Sequence, residues 1–497
     1  MPFYFNRVTL NLVEIYKKPF KTDKAIGGSH MDATQFFING EWVSSHSQET
    51  KPVLNPATEE EIAQVALGNE ADVDDAVAAA KEAFPAWNAK SPKERAQYVQ
   101  KIADGIREHK AELTQAVVAE LGSPKSSTDY GQVERSADEM EASIESLDTI
   151  DFESKIDNAL VIKEGFGVVA AVTPWNFPLN QIQRKLTPAL LAGNTMVVKP
   201  ATETPLTAVI LAQIVEEAGL PKGVFNLVTG SGSELGNYLT GHPDVSVISF
   251  TGSTEVGKGL YEQAKTTVKK LVLELGGKSP LIYLPEGDLS LAVKSSVDTI
   301  INNSGQVCTA LTRLLVPENE LPAVKDEIKA YLKTIKQGDP TDGETDIGPM
   351  VSEKQQQTVL DYIEKGKADG AELLVGGHAI EGKGFFVEPT VFVNVSNDMT
   401  IAREEIFGPV LSVITYQNVE EAIELANDTD YGLSGAVVGP KDKAIDVARQ
   451  LRTGAIIVNG ADQPHNAPFG GYKQSGYGRE RGSYGIEDYL EIKAIYR

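Results

Sequence analysis

A single cysteine, Cys308, stands in the stretch 302–313, NNSGQVCTALTR, of a chain of 497 residues. A free thiol has two ordinary uses, as a small apolar filler or as a nucleophile. Free cysteine is among the most buried residue types, so inert packing is the first expectation. The flanks oppose it: Gly305, Gln306 and Thr309 make a polar, flexible setting that suits a turn presenting sulfur to a cleft. Presented in that way, a thiol attacks electrophilic carbon and forms a covalent intermediate. Such chemistry needs a base for water and a donor for an oxyanion. Three residues near the ends of apolar runs could serve: the carboxylates Glu274 and Glu405 and the amide Asn176. Each has a plainer reading alone. Glu274 could be a solvated strand end, Asn176 a turn former, and Lys199 a surface charge.

Rival chemistries are thinner. The six histidines are scattered, with no H-x-x-x-H or C-x-x-C pair, so no metal site is expected. No G-x-S-x-G elbow supports a serine hydrolase. A cysteine hydrolase would need a histidine, and His242 and His378 are the nearest in sequence. Residues 252–259, GSTEVGKG, match G-x-x-x-x-G-K but put Gly259 where a P-loop needs a hydroxyl for magnesium. The strand-turn-helix setting survives that failure, and Ser253 with the amides after it would favour an anion. Residues 230–236, GSGSELG, also lie between a strand and a helix, without the usual dinucleotide spacing.

The elements that must position these residues are legible in the hydropathy pattern. Helical spacing of Val77, Ala80, Phe84 and Trp87 predicts one helix, and Ser91-Pro92-Lys93-Glu94 predicts a capping box that opens the next. Residues 128–158 carry little core signal. From residue 166 short apolar runs alternate with amphipathic segments: 167–172, 195–199, 224–228, 245–250 and 270–275. Continuously apolar strands separated by helices predict a parallel sheet buried on both faces, which binds ligands at its carboxyl edge. A second alternation follows, with a helix over about 288–303 and strands at 311–316, 410–415, 434–438 and 455–459. The tail 489–497 ends the chain as a strand. The fold class is therefore α/β, with one doubly wound domain to about residue 277 and a second to about 471.

Composition bounds the rest. A formal charge of −24 argues against a nucleic-acid partner, because phosphate binding relies on clustered Lys and Arg. No apolar run approaches the roughly 18 to 20 residues of a membrane helix. Cysteine used once excludes an internal disulfide framework and suggests the cytoplasm. Residues 1–31, which end in GGSHM, read as a leader with a cloning scar, and the natural start is expected at residue 32.

Five blocks in order change the reading: PWNFPL (174–179), VLELGGKSP (272–280), GQVCTA (305–310), EEIFGPV (404–410) and PFGGYKQSGYGRE (468–480). Together they resemble the NAD(P)-dependent aldehyde dehydrogenase superfamily, from about residue 36 to the C-terminus. The resemblance implies a Rossmann-like cofactor domain over 32–277, a catalytic α/β domain over 278–471, and a small β oligomerisation element. That element joins a hairpin at 144–165 to the strand within 472–497, giving a homodimer or homotetramer. Cys308 would attack the aldehyde, Asn176 and the Cys308 N–H would hold the oxyanion, and Glu274 would activate water against the thioester. Its presence separates hydrolytic members from CoA-acylating ones. The resemblance assigns cofactor contacts to Thr173, Trp175, Lys199, Thr202, Gly232, Gly252, Ser253, Glu405 and Phe407. It assigns the aldehyde tunnel to Phe177, Gln181, Arg184, Val307 and Thr309.

One departure concerns the cofactor. Many NAD-preferring members read K-P-S-E, with the glutamate on the ribose hydroxyls; here 199–203 is KPATE, so Thr202 takes that position. NAD is expected, with NADP open. Arg184 replaces an aromatic found in members acting on apolar aldehydes, which suggests a polar or acidic substrate such as a semialdehyde. The alternatives to a general aldehyde dehydrogenase are an NADP-preferring semialdehyde enzyme, a nucleotide binder without turnover, and a thiol esterase.

Overall fold

The computed structural model describes residues 33–497. The leader reading and the expected start at residue 32 lie outside the described residues.

Two mixed sheets carry the molecule. The first has eight strands, of which five are parallel: Val168–Val172, Thr195–Lys199, Phe225–Leu227, Val245–Thr251 and Lys270–Glu274. The strand Val168–Val172 lies centrally, with Thr195–Lys199 on one side and Val245–Thr251 on the other. The chain therefore reverses its winding beside Val172 and Thr251, and a crevice opens there at the carboxyl edge. These runs are apolar because both faces are covered. Two antiparallel pieces finish the edges, the hairpin Gln35–Ile38 with Glu41–Ser44 and the short strand Gly476–Tyr477 against Leu273 and Glu274.

The second sheet has seven strands, six of them parallel, centred on Arg313–Pro317 between Pro280–Tyr283 and Val410–Tyr416. Three of its strands, Pro280–Tyr283, Glu372–Val375 and Thr390–Val393, were not expected from the sequence. Each is four residues long, and the first opens on proline. The predicted helix near 288–303 is Leu289–Ile301, and the capping box at Ser91 forms: its hydroxyl accepts from the Glu94 N–H while Glu94 accepts from the Ser91 N–H. A third sheet pairs the tail strand Leu490–Tyr496 with Ala159–Gly165, which in turn pairs with Glu153–Ile156.

The stretch 128–158 is more structured than its composition suggests. It contains the helix Arg135–Glu145, which buries Ala137 and Met140 along with the polar Ser136, Glu139 and Ser143. Hydropathy gives no sign of it, because the buried face is held by hydrogen bonds and charge.

A buried carboxylate also anchors the helix Leu206–Glu217. Pro205 precedes it and supplies no side-chain cap. Glu120 caps it instead, accepting from the Leu206 N–H at 2.7 Å, the Thr207 N–H at 3.0 Å and the Thr207 hydroxyl. Glu120→Ala strands three buried donors, at about 1–3 kcal/mol for each one left unsatisfied. The variant is expected to lose several kcal/mol of stability, read as a lower midpoint in thermal or chemical denaturation, whereas Glu120→Gln should retain part of the cap.

Candidate active site

The thiol loop follows the helix Leu289–Ile301 and is built from unusual backbone. Asn303, Ser304 and Gly305 have φ of 50°, 57° and 73°, three consecutive left-handed residues. Two of them are not glycine, at a typical cost of about 1–3 kcal/mol each, so their surroundings must impose the conformation. The Ser304 hydroxyl donates to the Gly348 carbonyl at 2.8 Å, and Gln306 Oε1 accepts from the Val351 N–H at 2.9 Å. Gln306 Nε2 donates to the Asn303 carbonyl. Against this buried frame Val307, Cys308 and Thr309 are the three partly exposed residues, so the loop turns them outward together.

Asn176 is stapled to the same loop from the other domain. Its Nδ2 donates to the Gln306 carbonyl at 2.9 Å, and Asn303 Nδ2 donates to the Asn176 carbonyl at 2.8 Å. These two bonds fix Asn176 and Cys308 as one unit. One Nδ2 proton goes to the Gln306 carbonyl, two residues before Cys308, and a carboxamide carries a second.

Glu274 ends the strand Lys270–Glu274, and just beyond it Gly277 lies so near the thiol loop that an added Cβ would sit 2.4 Å from the Cys308 carbonyl oxygen. Both carboxyl oxygens of Glu274 are buried without a hydrogen-bond partner. Burial, reinforced by Glu480, pushes its pKa well above the ordinary carboxylate range. Burial likewise pushes the Cys308 thiol up to about 12, with Glu405 and Glu274 adding to it and Arg184 opposing. A poised base and a masked nucleophile in one crevice are the signature of a reaction site.

On the other side Glu405 accepts from the Gly277 N–H at 3.1 Å, and its carboxyl rises to about 7 through burial. Phe407, at φ 57°, meets Trp175 edge-on with ring centroids 5.4 Å apart. Behind them a cleft of about 630 Å³ opens at the reversal point of the first sheet, lined by Thr173, Lys199, Thr202, Gly232 and Gly252 among others. Ser253 caps the helix Thr254–Ala264 beside it, accepting from the Val256 N–H. Gly232 opens a π-helical turn, Gly232–Gly236, of the kind found at functional sites. Lys199 is buried, its ammonium held by the Pro200 and Gly230 carbonyls and its pKa lowered to about 8 by desolvation.

The residues assigned to the aldehyde tunnel differ in burial. Phe177 is partly exposed, and Gln181 is buried with Oε1 unpartnered. Arg184 is buried. Its Nε and Nη2 bind the two Glu139 oxygens at 2.9 and 2.8 Å, and its guanidinium lies 4.9 Å from the Phe469 ring centroid. Arg481 also lies 4.9 Å from that ring and reaches Glu139 at 3.0 Å. His242 meets Asp74 at 3.3 Å and His378 is exposed, so the sequence's histidine candidates for a cysteine hydrolase are engaged elsewhere or lie at the surface.

Sequence reasoning missed the Lys185–Glu480 pair, fully buried with Nζ 3.0 Å from the carboxylate and 2.7 Å from the Thr251 hydroxyl. Both residues adjoin recognised positions, Arg184 and the block ending at Glu480, but only the fold shows that they meet.

A family model for the aldehyde dehydrogenase family matches residues 42–495. The chain belongs to the aldehyde dehydrogenase family. Its reaction is the NAD(P)-dependent oxidation of an aldehyde, as the five sequence blocks implied. A Staphylococcus haemolyticus protein provisionally named aldehyde dehydrogenase is 48% identical over 466 residues, covering 93% of this chain and 98% of the relative. Among solved structures, aldehyde dehydrogenase C of Pseudomonas syringae, a mutant complexed with NAD+ and octanal, superposes with a TM-score of 0.92 at 45% identity, over 93% and 96% of the two chains. Betaine aldehyde dehydrogenase of Staphylococcus aureus, in complex with NAD+, gives 0.90 at 37%, over 93% and 94%.

Proposed function

We propose that this aldehyde dehydrogenase oxidises a neutral aldehyde to its carboxylic acid by the hydrolytic route, with Cys308, Asn176 and Glu274 as the catalytic residues. The observation that carries the reading is the double staple between Asn176 and the Gln306 loop, which ties an amide donor to the segment bearing the thiol, together with the unpartnered buried carboxylate of Glu274. Cys308, once its thiol has released its proton to solvent, adds as the thiolate to the aldehyde carbon, and the developing oxyanion accepts hydrogen bonds from Asn176 Nδ2 and the Cys308 N–H. Glu274 takes the proton from the water that later releases the acid.

The cleft fits a dinucleotide: a volume of about 630 Å³ at the sheet's reversal point, an N-capped helix at Ser253 and a buried cation at Lys199. Lys199, Thr202, Gly232 and Ser253 would hold the adenosine and pyrophosphate side, with Trp175, Glu405 and Phe407 toward the nicotinamide. When bound, that nicotinamide accepts the substrate hydride. Phe177, Gln181, Val307 and Thr309 are assigned to the aldehyde.

The Arg184–Glu139 pair moves the substrate reading away from an acidic aldehyde. An arginine already bidentate to a buried carboxylate has its charge compensated, which weakens its pull on a second one. Glu139 titrates well below the ordinary carboxylate range, its burial cost exceeded by Arg184 and Arg481, so this counter-charge persists at working pH. Neutral aliphatic aldehydes are therefore expected to show the higher kcat/KM. Arg184→Ala should lower stability, as loss of a buried ion-pair partner costs about 3–5 kcal/mol, and should change kcat/KM for neutral and anionic aldehydes by similar factors. A selective loss for the anionic ones would restore a semialdehyde reading. A panel of aldehydes with NAD and NADP in parallel, following the reduced cofactor, tests the whole assignment. No turnover with either cofactor would overturn it, and turnover of esters alone would favour the esterase.

Assembly follows from the tail. Ile492, Ile495 and Tyr496 are exposed on the edge strand Leu490–Tyr496, and Ile156 on the opposite edge strand of the same sheet. A homodimer or homotetramer that covers this face is expected, and light scattering should show at least a dimer. A cytoplasmic setting suits a reaction that draws on a nicotinamide pool and a reduced thiol.

A further inference from the structure

The rim of the cofactor cleft receives a side chain from an element far away in sequence. Strand Thr50–Leu54 pairs with Glu61–Ala66 in a two-stranded sheet apart from the larger ones. From it Lys51 reaches across to the segment that follows Lys199. Its Nζ stands 3.3 Å from the Thr202 hydroxyl and 3.1 Å from Glu203 Oε1. Thr202 and Glu203 both line the cleft, and the Thr202 hydroxyl also lies 3.4 Å from Glu203 Oε2.

The charge at this rim decides what the cleft tolerates. Glu203 alone would repel a phosphate on the adenosine ribose. Lys51 cancels that charge, and buried Lys199 adds a second cation, held by carbonyls rather than by a carboxylate. The Lys51 side chain is 44% exposed, so its flexible stem can turn from Glu203 toward an incoming anion. Thr202 contributes a hydroxyl donor and no charge.

We infer that Lys51 is a cofactor-specificity residue: with Thr202 it receives a phosphate on the adenosine ribose, so that this chain takes NADP as well as NAD. The inference rests on the assignment of this cleft to the cofactor. Lys51 offers an ammonium with three donors, of which Glu203 and Thr202 occupy two. A ribose phosphate replaces Glu203 as its partner, at little loss because that pair is largely solvated.

The test is binding without aldehyde, so that catalysis plays no part. Dissociation constants for NAD, NADP, 5′-AMP and adenosine 2′,5′-bisphosphate are measured by calorimetry on the wild type, Lys51→Met and Lys51→Glu. The wild type should bind the bisphosphate more tightly than 5′-AMP. Lys51→Met should weaken NADP and the bisphosphate about tenfold, the equivalent of about one such charge contact, and leave NAD and 5′-AMP within about twofold. Lys51→Glu should weaken them further. An unchanged ratio of NADP to NAD affinity in Lys51→Met overturns the inference, as does a wild type that binds the bisphosphate no better than 5′-AMP. Failure of the wild type to bind NAD at all would instead overturn the cofactor assignment on which it rests. Retained NAD binding by the variants shows that they are folded.

Discussion

Glu274→Gln is expected to retain a first-turnover burst of reduced cofactor while steady-state turnover falls by about two to four orders of magnitude. The range is that of a positioned general base lost from one step. The burst survives because addition of the thiol and hydride transfer do not use the carboxylate; only attack of water on the thioester does. Glutamine keeps the shape of the buried side chain, so the change reads the proton and not the packing. The pH dependence sharpens the outcome. Burial and Glu480 hold the Glu274 proton well above the ordinary carboxylate range, and the carboxylate is the form that accepts a proton from water. Steady-state rate in the wild type should therefore go on rising with pH above the range in which an ordinary carboxylate has finished titrating. In the glutamine variant that dependence disappears from the residual turnover, and any rise left in the burst rate reports Cys308, whose thiol lies at about 12 before ligands bind. Rapid-mixing kinetics across pH distinguishes the two phases. Equal loss of burst and turnover would place Glu274 outside the hydrolytic step.

How far the sequence reached is clear from particular residues. Parallel strands were legible because burial on both faces writes continuous apolar runs, and two of the polar residues at their ends, Lys199 and Gly252, line the cleft. The short strands Glu372–Val375 and Thr390–Val393 were not, because four residues carry too little pattern. The helix Arg135–Glu145 was hidden for a different reason. Its buried face includes Glu139, made tolerable there by guanidinium groups that include Arg184, 45 positions on, and Arg481. The same pairing reversed the meaning of Arg184: read alone it is a cation awaiting an anionic substrate, and read with Glu139 it is a satisfied buried charge. Lys185 and Glu480 repeat the lesson at a separation of 295 residues. Long-range ion pairs leave no trace in local composition, whereas strand ends do.

Gly305→Ala is expected to lower kcat/KM by about a hundredfold or more without removing any group that touches substrate. A Cβ at this position would lie 2.2 Å from the Gly408 carbonyl oxygen and 2.8 Å from the Pro409 nitrogen, and φ is 73°. Both partners are backbone, so nothing rotates away and one of the two loops must shift. Each loop carries function. Residues 303–308 hold the thiol and the staple to Asn176, while 405–408 hold Glu405 and Phe407 at the cofactor side. A displacement near 1 Å in catalytic geometry costs about a hundredfold in rate. Direct loss of the oxyanion donor, Asn176→Ala, is expected to cost about a hundred- to a thousandfold in kcat. The two variants should differ in their cofactor affinity. Asn176→Ala should leave the dissociation constant for NAD near the wild-type value, because its contacts run to the thiol loop. Gly305→Ala should weaken it, because the shifted partner is the segment that positions Glu405. If Gly305→Ala kept both cofactor affinity and kcat/KM, the left-handed run before Cys308 would have no part in setting the site.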